Sequence, residues 1–219
     1  ELAGEIKFFY PDKQVTIADV ADDILSGPYD QALRDELRRQ LDELGVELRL
    51  GQALMELPSA APATLDTIRI TTEDGTELLA DIWFRAFGVR PHSEYLDGGS
   101  HTGSRNEPGY IRVDEHLRVD GETNVFAIGD VSDADRDTAG AASRQAGVVV
   151  ANIRALITGE AKLTSWETLP PIIAIPLGPE GGAGFLGDGV VGPATIAEAK
   201  GRAMGMGNLE ALFDAAVEV

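Results

Sequence analysis

The first fifty residues alternate between amphipathic stretches with helical spacing and short runs typical of strands. Residues 1–9 place apolar side chains on one helical face, and residues 29–44 do so again before Gly45, a residue suited to end a helix. Residues 14–18 and 46–50 have the composition or the alternation of strands. This succession of helix, strand, helix and strand predicts an α/β domain in which helices pack on a parallel sheet.

The next stretch of the chain has an antiparallel character. Residues 67–72 and 76–79 predict two strands joined at a glycine-containing turn, so a small antiparallel insert is expected here. Residues 81–87 predict a further apolar strand that ends at Gly88. Residues 98–109 are rich in Gly, Ser and Asn, which indicates a linker or a surface loop.

From residue 110 onward the pattern predicts two more strands, a long helix, a hairpin and two short terminal helices. In chain order these lie at residues 110–113, 125–128, 138–157, 172–177 with 183–186, 194–200 and 209–217. The long helix is apolar around much of its circumference and is therefore expected to be mostly buried. This carboxyl-terminal part thus predicts an α+β arrangement.

Net charge limits the partners that this chain can bind. The sequence carries 37 acidic and 18 basic residues, for a formal net charge of −19. A polyanion repels phosphate backbones and anionic membrane surfaces, which excludes nucleic acid as a partner and disfavours contact with a membrane. An anionic dinucleotide would have to be bound by local backbone N–H groups or by buried basic groups.

Residues that hold metals or form disulfides are scarce. There is no cysteine, which excludes disulfides, thiolate metal sites and a redox-active cysteine pair within these residues. The histidines, His92, His101 and His116, lack the spacing of metal ligands, so no metal site is expected. The sequence has no apolar run of ~20 residues and no signal-peptide pattern, and a cytoplasmic protein is therefore expected.

Residues 123–130 (TNVFAIGD) carry the strongest chemical signal. An apolar run leads directly into Gly129 and Asp130, and a helix rich in small residues begins near Thr138 and Ala139. Glycine lets the backbone approach a ligand closely, the carboxylate can accept a hydrogen bond from a ribityl hydroxyl, and the helix start offers N–H groups to a phosphate. This pattern suits a flavin dinucleotide, and an ordinary strand-to-turn junction is the alternative.

Four stretches of the sequence match, in order, motifs of one known family. Residues 1–6 resemble the helix after the family's second Gly-x-Gly-x-x-Gly turn, and residues 15–19 resemble the next strand with its acidic end. Residues 81–91 resemble the return between domains, and residues 123–130 resemble the second FAD motif. The chain therefore resembles the FAD-dependent pyridine-nucleotide oxidoreductases, the family of type II NADH dehydrogenases and apoptosis-inducing-factor-like enzymes. Residues 172–200 are most similar to the apoptosis-inducing-factor-like quinone reductases.

This resemblance implies a partial two-dinucleotide-binding-domain, Rossmann-like flavoprotein fold, in which a part amino-terminal to these residues is missing. Residues 1–105 would form the NAD(P)H-binding domain without its first strand and glycine-rich turn. Residues 106–160 would form the carboxyl-terminal part of the FAD-binding domain, and residues 161–219 a flavin-proximal or interface region. Weak FAD binding and little activity are expected from these 219 residues alone.

The resemblance also implies roles for single residues. The expected FAD-binding residues are Gly129, Asp130, Thr138, Ala139 and Gln145; those near NAD(P)H are Glu1, Asp19 and Gly88; and the candidate catalytic residue is Lys200. The carboxylate of Asp19 would bind ribose hydroxyls, which favours NADH over NADPH. Lys200 would lie near the flavin ring, where a cation can stabilise negative charge or steer a quinone. The plainer alternatives are a solvated turn aspartate, a strand-ending glycine, helix–sheet packing for the small residues and a surface lysine.

The function that this resemblance implies is hydride transfer from NADH to FAD, with electrons passed on to a quinone or similar acceptor. A non-catalytic dinucleotide-binding regulatory module is one alternative. Another is a disulfide reductase whose cysteine pair lies outside these residues. The apolar face of residues 209–217 leaves a homodimer contact or peripheral docking on a membrane open, although its acidic residues disfavour an anionic bilayer.

Overall fold

The computed structural model describes residues 1–135, 138–170, 172–204 and 206, and the helix predicted at 209–217 lies outside them. The chain divides into two compact units, a larger one of Glu1–Arg85 with Pro170–Val219 and a smaller one of Ala86–Leu169. These packing boundaries differ from the expected functional segments. Residues 86–105 belong with the chain that follows them, and the tail belongs with the first 85 residues.

The larger unit begins with the predicted helix–strand–helix–strand pattern. Its elements are α1 Leu2–Phe9, β1 Val15–Ala18, α2 Gln31–Glu43 and β2 Val46–Arg49. The two strands pair in parallel, with Val15 opposite Val46, which confirms the predicted parallel sheet. Helix α2 begins at Asp30, whose carboxylate accepts the Ala32 N–H at 2.7 Å, and it ends before Gly45, which has a φ of 71°.

The antiparallel insert also forms as predicted, but the strand expected after it does not. Strands β3 Ile68–Thr71 and β4 Glu77–Ala80 pair in antiparallel fashion. Residues 81–87 form no strand. The carbonyls of Asp81 and Trp83 accept hydrogen bonds from the loop N–H groups of Asp66 and Ala63 instead of joining a ladder. An apolar run favours a strand, but a strand also requires a neighbouring strand with which to pair.

The smaller unit contains the long predicted helix, α3 Ala139–Thr158, and mostly irregular backbone. The strands predicted at 110–113 and 125–128 are wrong, because these residues form only isolated bridges, such as Ile111 with Ser132 and Arg118 with Phe126. The apolar side chains of the two segments are nonetheless buried together, in a cluster of Ile111, Val119 and Ala127. Burial was therefore predictable here, whereas regular pairing was not.

Helix α3 is buried on one face only, which corrects the expectation that it is mostly buried. Its buried residues recur at helical spacing, and they are Ala141, Gln145, Val149, Asn152 and Ala155. The opposite face exposes apolar side chains, with Val150 58% and Ile157 80% exposed. Gly159, in the left-handed region at a φ of 75°, ends the helix. None of the helices in the described part of the chain is long and apolar enough to cross a membrane.

The tail returns to the larger unit as the predicted hairpin. Strands β5 Ile173–Pro176 and β6 Gly182–Phe185 pair in antiparallel fashion, and a third short strand, β7 Val190–Val191, extends the sheet. Helix α4 Pro193–Ile196 continues as a π-helical turn, Ala197–Gly201, near the predicted helix bounds. The hairpin packs on α2 in one hydrophobic core, whose buried residues are Leu33, Leu37, Leu41, Val46, Leu177 and Ala183.

Candidate functional site

In the smaller unit, the backbone of Gly129 is held by a buried glutamine. The Gly129 N–H donates to the side-chain oxygen of Gln145 at 2.6 Å, and the Gly129 carbonyl accepts from the Ser132 N–H at 3.0 Å. Gln145 is only 1% exposed, and Gly129 has a φ of 69°, a conformation that favours glycine. These bonds leave the adjacent Asp130 side chain exposed at the surface.

The amino-terminal end of α3 is open to solvent beside this loop. Thr138 caps the helix, since its hydroxyl accepts the Ala141 N–H at 3.2 Å. Thr138, Ala139 and Gly140 are exposed, and a side chain built on Gly140 would have no atom of the described residues within 4 Å. A Cβ on Gly129 would lie 3.5 Å from the Ala142 Cβ, so the loop backbone lies against the first turn of α3.

These groups fit a flavin dinucleotide. The Asp130 carboxylate is exposed, where it can accept a hydrogen bond from a hydroxyl. The N–H groups of Ala139 and Gly140, ahead of the capped Ala141 N–H, suit a phosphate, and the small residues there leave room for it. Gln145 lies behind the loop and supports Gly129, a positioning role that sequence reasoning, which expected a flavin contact, did not identify.

In the larger unit, Asp19 follows β1 directly, as expected. Its backbone N–H donates to the Arg49 carbonyl at 2.9 Å, and its carboxylate accepts the Ala21 N–H at 3.0 Å. The side chain is exposed. A carboxylate at the end of a parallel strand, next to the loop that leads to a helix, is placed as in sites that bind the ribose of a dinucleotide.

The acidic loop after Asp19 contains no arginine of its own, but the fold supplies two from α2. Arg34 donates to the carbonyls of Ile24, Leu25, Gly27 and Tyr29, at distances from 2.5 to 3.1 Å. Arg38 pairs with Asp23 at 2.7 Å. The Gln31 amide, together with Arg38, holds the pKa of the Asp23 carboxyl below its usual range. Both guanidinium groups are thus engaged in bonds with the loop.

The structure brings together two candidate residues that are 199 positions apart. The Lys200 ammonium donates to the Glu1 carboxylate at 2.6 Å and to the Ala174 carbonyl at 3.4 Å. Both side chains are partly exposed, Lys200 at 34% and Glu1 at 39%. Sequence reasoning placed these residues at the nicotinamide and the flavin separately and did not predict their pairing. The pair is therefore a charged site at the surface of the larger unit.

Gly88 does not join these residues in the larger unit. It belongs to the smaller unit, is exposed, and has a φ of 80°. A side chain built there would have no described atom within 4 Å, so glycine is explained by the backbone conformation alone. Among the residues that the structure describes, no group of three or more His, Asp or Glu side chains is placed to hold a metal ion.

Known proteins resemble this chain over most of its length. A sequence profile described as pyridine nucleotide-disulphide oxidoreductase matches residues 1–146. The FAD-dependent oxidoreductase FVFD30 of Flammulina velutipes is 27% identical over 188 residues, which are 85% of this chain and 56% of that protein. Ferroptosis suppressor protein 1 of Homo sapiens is 32% identical over 157 residues, 70% of this chain and 41% of that protein.

A solved structure confirms the fold. The FAD-dependent pyridine nucleotide-disulphide oxidoreductase from Desulfovibrio vulgaris superposes with a TM-score of 0.66 at 22% identity, and the match covers 84% of this chain and 45% of that one. The predicted class, a partial Rossmann-like flavoprotein fold, is therefore correct. The chain spans about half the length of the curated relatives that it matches.

Proposed function

Because this chain belongs to the pyridine nucleotide-disulphide oxidoreductase family, we propose that it serves an enzyme that passes electrons from NADH through FAD to a quinone-like acceptor. Bound FAD would supply the group that accepts hydride from the nicotinamide and donates electrons to the acceptor. The residues of this chain bind and orient the two dinucleotides and stabilise charge at the acceptor. No side-chain nucleophile is required for such transfer.

The arrangement of Gly129, Asp130 and Gln145 carries this proposal. Gln145 is buried and fixes the Gly129 backbone through a 2.6 Å hydrogen bond, so the next residue presents its carboxylate to solvent beside the start of α3. A fixed carboxylate beside the solvent-exposed start of a helix offers an acceptor for a hydroxyl and backbone N–H donors for a phosphate in one place. FAD carries both groups.

Asp19 and the arginine contacts of the acidic loop support NADH over NADPH. The Asp19 carboxylate is exposed at the end of β1, where it can accept both ribose hydroxyls. A 2′-phosphate at that position would meet this negative charge. Arg34 and Arg38, the cations that α2 brings to the loop, are bonded to its carbonyls and to Asp23. Neither guanidinium is therefore positioned by the fold to receive a phosphate.

Lys200 and Glu1 support a carbonyl acceptor such as a quinone. Quinone oxygens gain negative charge as they accept electrons, and a neighbouring ammonium stabilises that charge. Glu1 orients the ammonium through the 2.6 Å contact, while partial exposure leaves the lysine accessible to a small molecule. A dithiol acceptor would need a cysteine pair outside these residues, since the sequence contains none.

The substitution Asp130→Asn tests the FAD site. It keeps the size of the side chain and removes the charge that strengthens a hydrogen bond from a hydroxyl. Because the amide oxygen can still accept the hydrogen bond, only the contribution of the charge is lost, and we expect the dissociation constant for FAD to rise roughly 5- to 10-fold. The measurement is flavin titration of the deflavinated intact protein by fluorescence quenching.

The matched control is Asp120→Asn, an exposed aspartate of the same unit whose carboxylate lies 3.4 Å from Arg112. It should bind FAD as the unsubstituted protein does. Equal affinities for all three proteins would refute the assignment of Asp130. An intact protein that neither contains flavin nor can be reconstituted with it would refute the proposed function.

A further inference from the structure

The turn that joins β5 to β6 is enclosed by three other elements of the larger unit. We call residues 177–182 the glycine-rich turn. Helix α1 lies against it so closely that a Cβ on Gly4 would be 2.4 Å from the Leu177 Cα. A Cβ on Gly178 would lie 3.1 Å from the Phe8 Cβ on the same helix. The turn therefore fixes the position of α1 at Gly4, which is three residues after Glu1 in the chain.

The same turn also contacts the backbone beside Lys200. A Cβ on Gly201 would lie 2.7 Å from the Pro179 carbonyl oxygen, so the π-helical turn and the glycine-rich turn touch through their backbones. The guanidinium of Arg202 adds an ion pair with Glu180 at 2.7 Å. Glu1 and Lys200 thus each lie close in the chain to a glycine, Gly4 or Gly201, that packs against the glycine-rich turn.

A buried side chain from α2 holds the glycine-rich turn in place. Gln40 is 6% exposed, and its amide oxygen accepts the Gly182 N–H at 2.6 Å. Its amide nitrogen donates to the Gly182 carbonyl at 2.9 Å and to the Glu36 carboxylate at 2.7 Å. Both N–H groups and the oxygen of this amide are engaged, and the backbone of Gly182 is therefore tied to α2 through both of its polar groups.

Glycine at position 182 is required by this arrangement. Its φ is 118°, and a Cβ there would lie 2.3 Å from the Ile175 carbonyl oxygen. Gly182 begins β6 opposite Pro176, and the Gln40 amide bonds both polar groups of its backbone. A hydrocarbon side chain in place of Gln40 could fill the same space, but it would leave the buried N–H and carbonyl of Gly182 without partners.

From these contacts we propose that Gln40 is a positioning residue for the Glu1–Lys200 pair, acting through the glycine-rich turn. Gln40 of α2 holds Gly182 in place. The glycine-rich turn packs against α1 at Gly4 and against Gly201, the residue after Lys200. These contacts place the Lys200 ammonium within reach of the Glu1 carboxylate. Gln40 itself touches neither charged group. For catalysis this inference rests on the proposed role of Lys200 in reducing the acceptor.

The acylation rate of Lys200 measures this positioning without any need for turnover. In the intact flavin-loaded protein, brief treatment with an acetylating ester followed by peptide mass spectrometry reports the rate at each lysine. We expect Gln40→Leu to raise the rate at Lys200 by about two- to fivefold, the range that loss of an exposed ion pair allows. The exposed Lys162 of the other unit should react at an unchanged rate and serves as the internal reference.

Gln31→Leu is the matched control, because Gln31 is an exposed amide on the same helix that donates to Asp23 and Asp35. It should leave the rate at Lys200 unchanged. If Gln40→Leu does not fold, Gln40→Glu replaces it, since its carboxylate can accept the Gly182 N–H but cannot donate to the carbonyl. An unchanged Lys200 rate in a folded Gln40 variant would overturn the proposal.

Steady-state kinetics separate this inference from the proposed function. Gln40→Leu should lower kcat/KM for an uncharged quinone by about two- to fivefold, because the Lys200 ammonium is no longer held in place. If Lys200→Met reduces the quinone at the full rate, the proposed role of Lys200 is wrong. The acylation result would still decide whether Gln40 positions the pair.

Discussion

At the scale of single residues, two buried glutamines do similar work in the two units. Gln145 accepts the Gly129 N–H and Gln40 accepts the Gly182 N–H, each at 2.6 Å, and both glycines have a positive φ. A backbone N–H that is shielded from solvent needs an acceptor, and here a glutamine side chain supplies it. Sequence reasoning named Gln145 as a flavin contact and did not select Gln40. The spacing of residues does not reveal that these side chains bond the backbones of Gly129 and Gly182.

Asp19 allows a prediction at this scale. Asp19→Ala removes the carboxylate that would accept the ribose hydroxyls of NADH and repel a 2′-phosphate. We expect the ratio of kcat/KM for NADH to that for NADPH to fall roughly 10- to 100-fold, since a charged hydrogen bond is lost. The ratio is measured by initial rates with each nucleotide and the same acceptor.

The neighbouring acid provides the comparison for Asp19. Asp22 is exposed three residues further along the same loop, so Asp22→Ala changes the local charge equally. This variant should keep the preference for NADH. If the two variants shift the ratio by the same amount, the general charge of the loop sets the specificity and Asp19 has no special contact.

At the scale of elements, local pattern predicted well wherever an element pairs with its neighbour in the chain. Helix α2, the parallel pair β1–β2 and both hairpins appear near their predicted bounds. The strands expected at 81–87, 110–113 and 125–128 are absent as strands, since an apolar run does not by itself supply the partner strand that a ladder requires. Helix α3 was likewise placed correctly, but which of its apolar faces is covered depends on packing.

The turn at 114–118 gives a prediction of pH dependence. Burial alone would raise the pKa of Asp114, but the N–H of Arg118, its guanidinium and the His116 N–H together hold that pKa below its usual range. These bonds support Leu117, which is fully buried at a φ of 62°. A carboxyl with a lowered pKa stabilises the folded state above its unfolded pKa, near 3.9, and that stabilisation is lost as the pH falls through the folded value.

Asp114→Asn should therefore be less stable than the parent protein at pH 7, with a gap in the free energy of unfolding that narrows as the pH falls below about 4. Urea unfolding at several pH values, followed by the fluorescence of Trp166 in a Trp83→Phe background, reports on the smaller unit. Asp120→Asn serves as the control for loss of an exposed carboxylate. A gap that stays constant down to pH 3 would contradict the proposed contribution of Asp114.

At the scale of the whole molecule, charge should govern how the nucleotide arrives. The net charge of −19 repels anionic NADH over distances that depend on salt. The Debye length falls from about 30 Å at 0.01 M to about 8 Å at 0.15 M ionic strength. We expect kcat/KM for NADH to rise about two- to fivefold across this range, as measured by initial rates at a saturating, uncharged acceptor.

The control for this salt effect is an uncharged quinone varied at saturating NADH, whose kcat/KM should change little because no long-range charge acts on it. A decrease in kcat/KM for NADH with added salt would mean that local cationic groups attract the nucleotide more strongly than the overall charge repels it. That result would contradict the prediction, since the two arginines near Asp19 are engaged with the loop.

By itself the sequence determined the class of fold, the helices and hairpins built from local periodicity, and the positions of the Gly129–Asp130 and Asp19 motifs. These depend on residues close together in the chain, whose spacing translates directly into structure. Only the tertiary structure decided that Lys200 meets Glu1 and that Gln40 bonds Gly182, across 199 and 142 positions. Such contacts arise from how the tail packs on α1 and α2, and the packing depends on shape and hydrogen bonding between distant segments that periodicity does not encode.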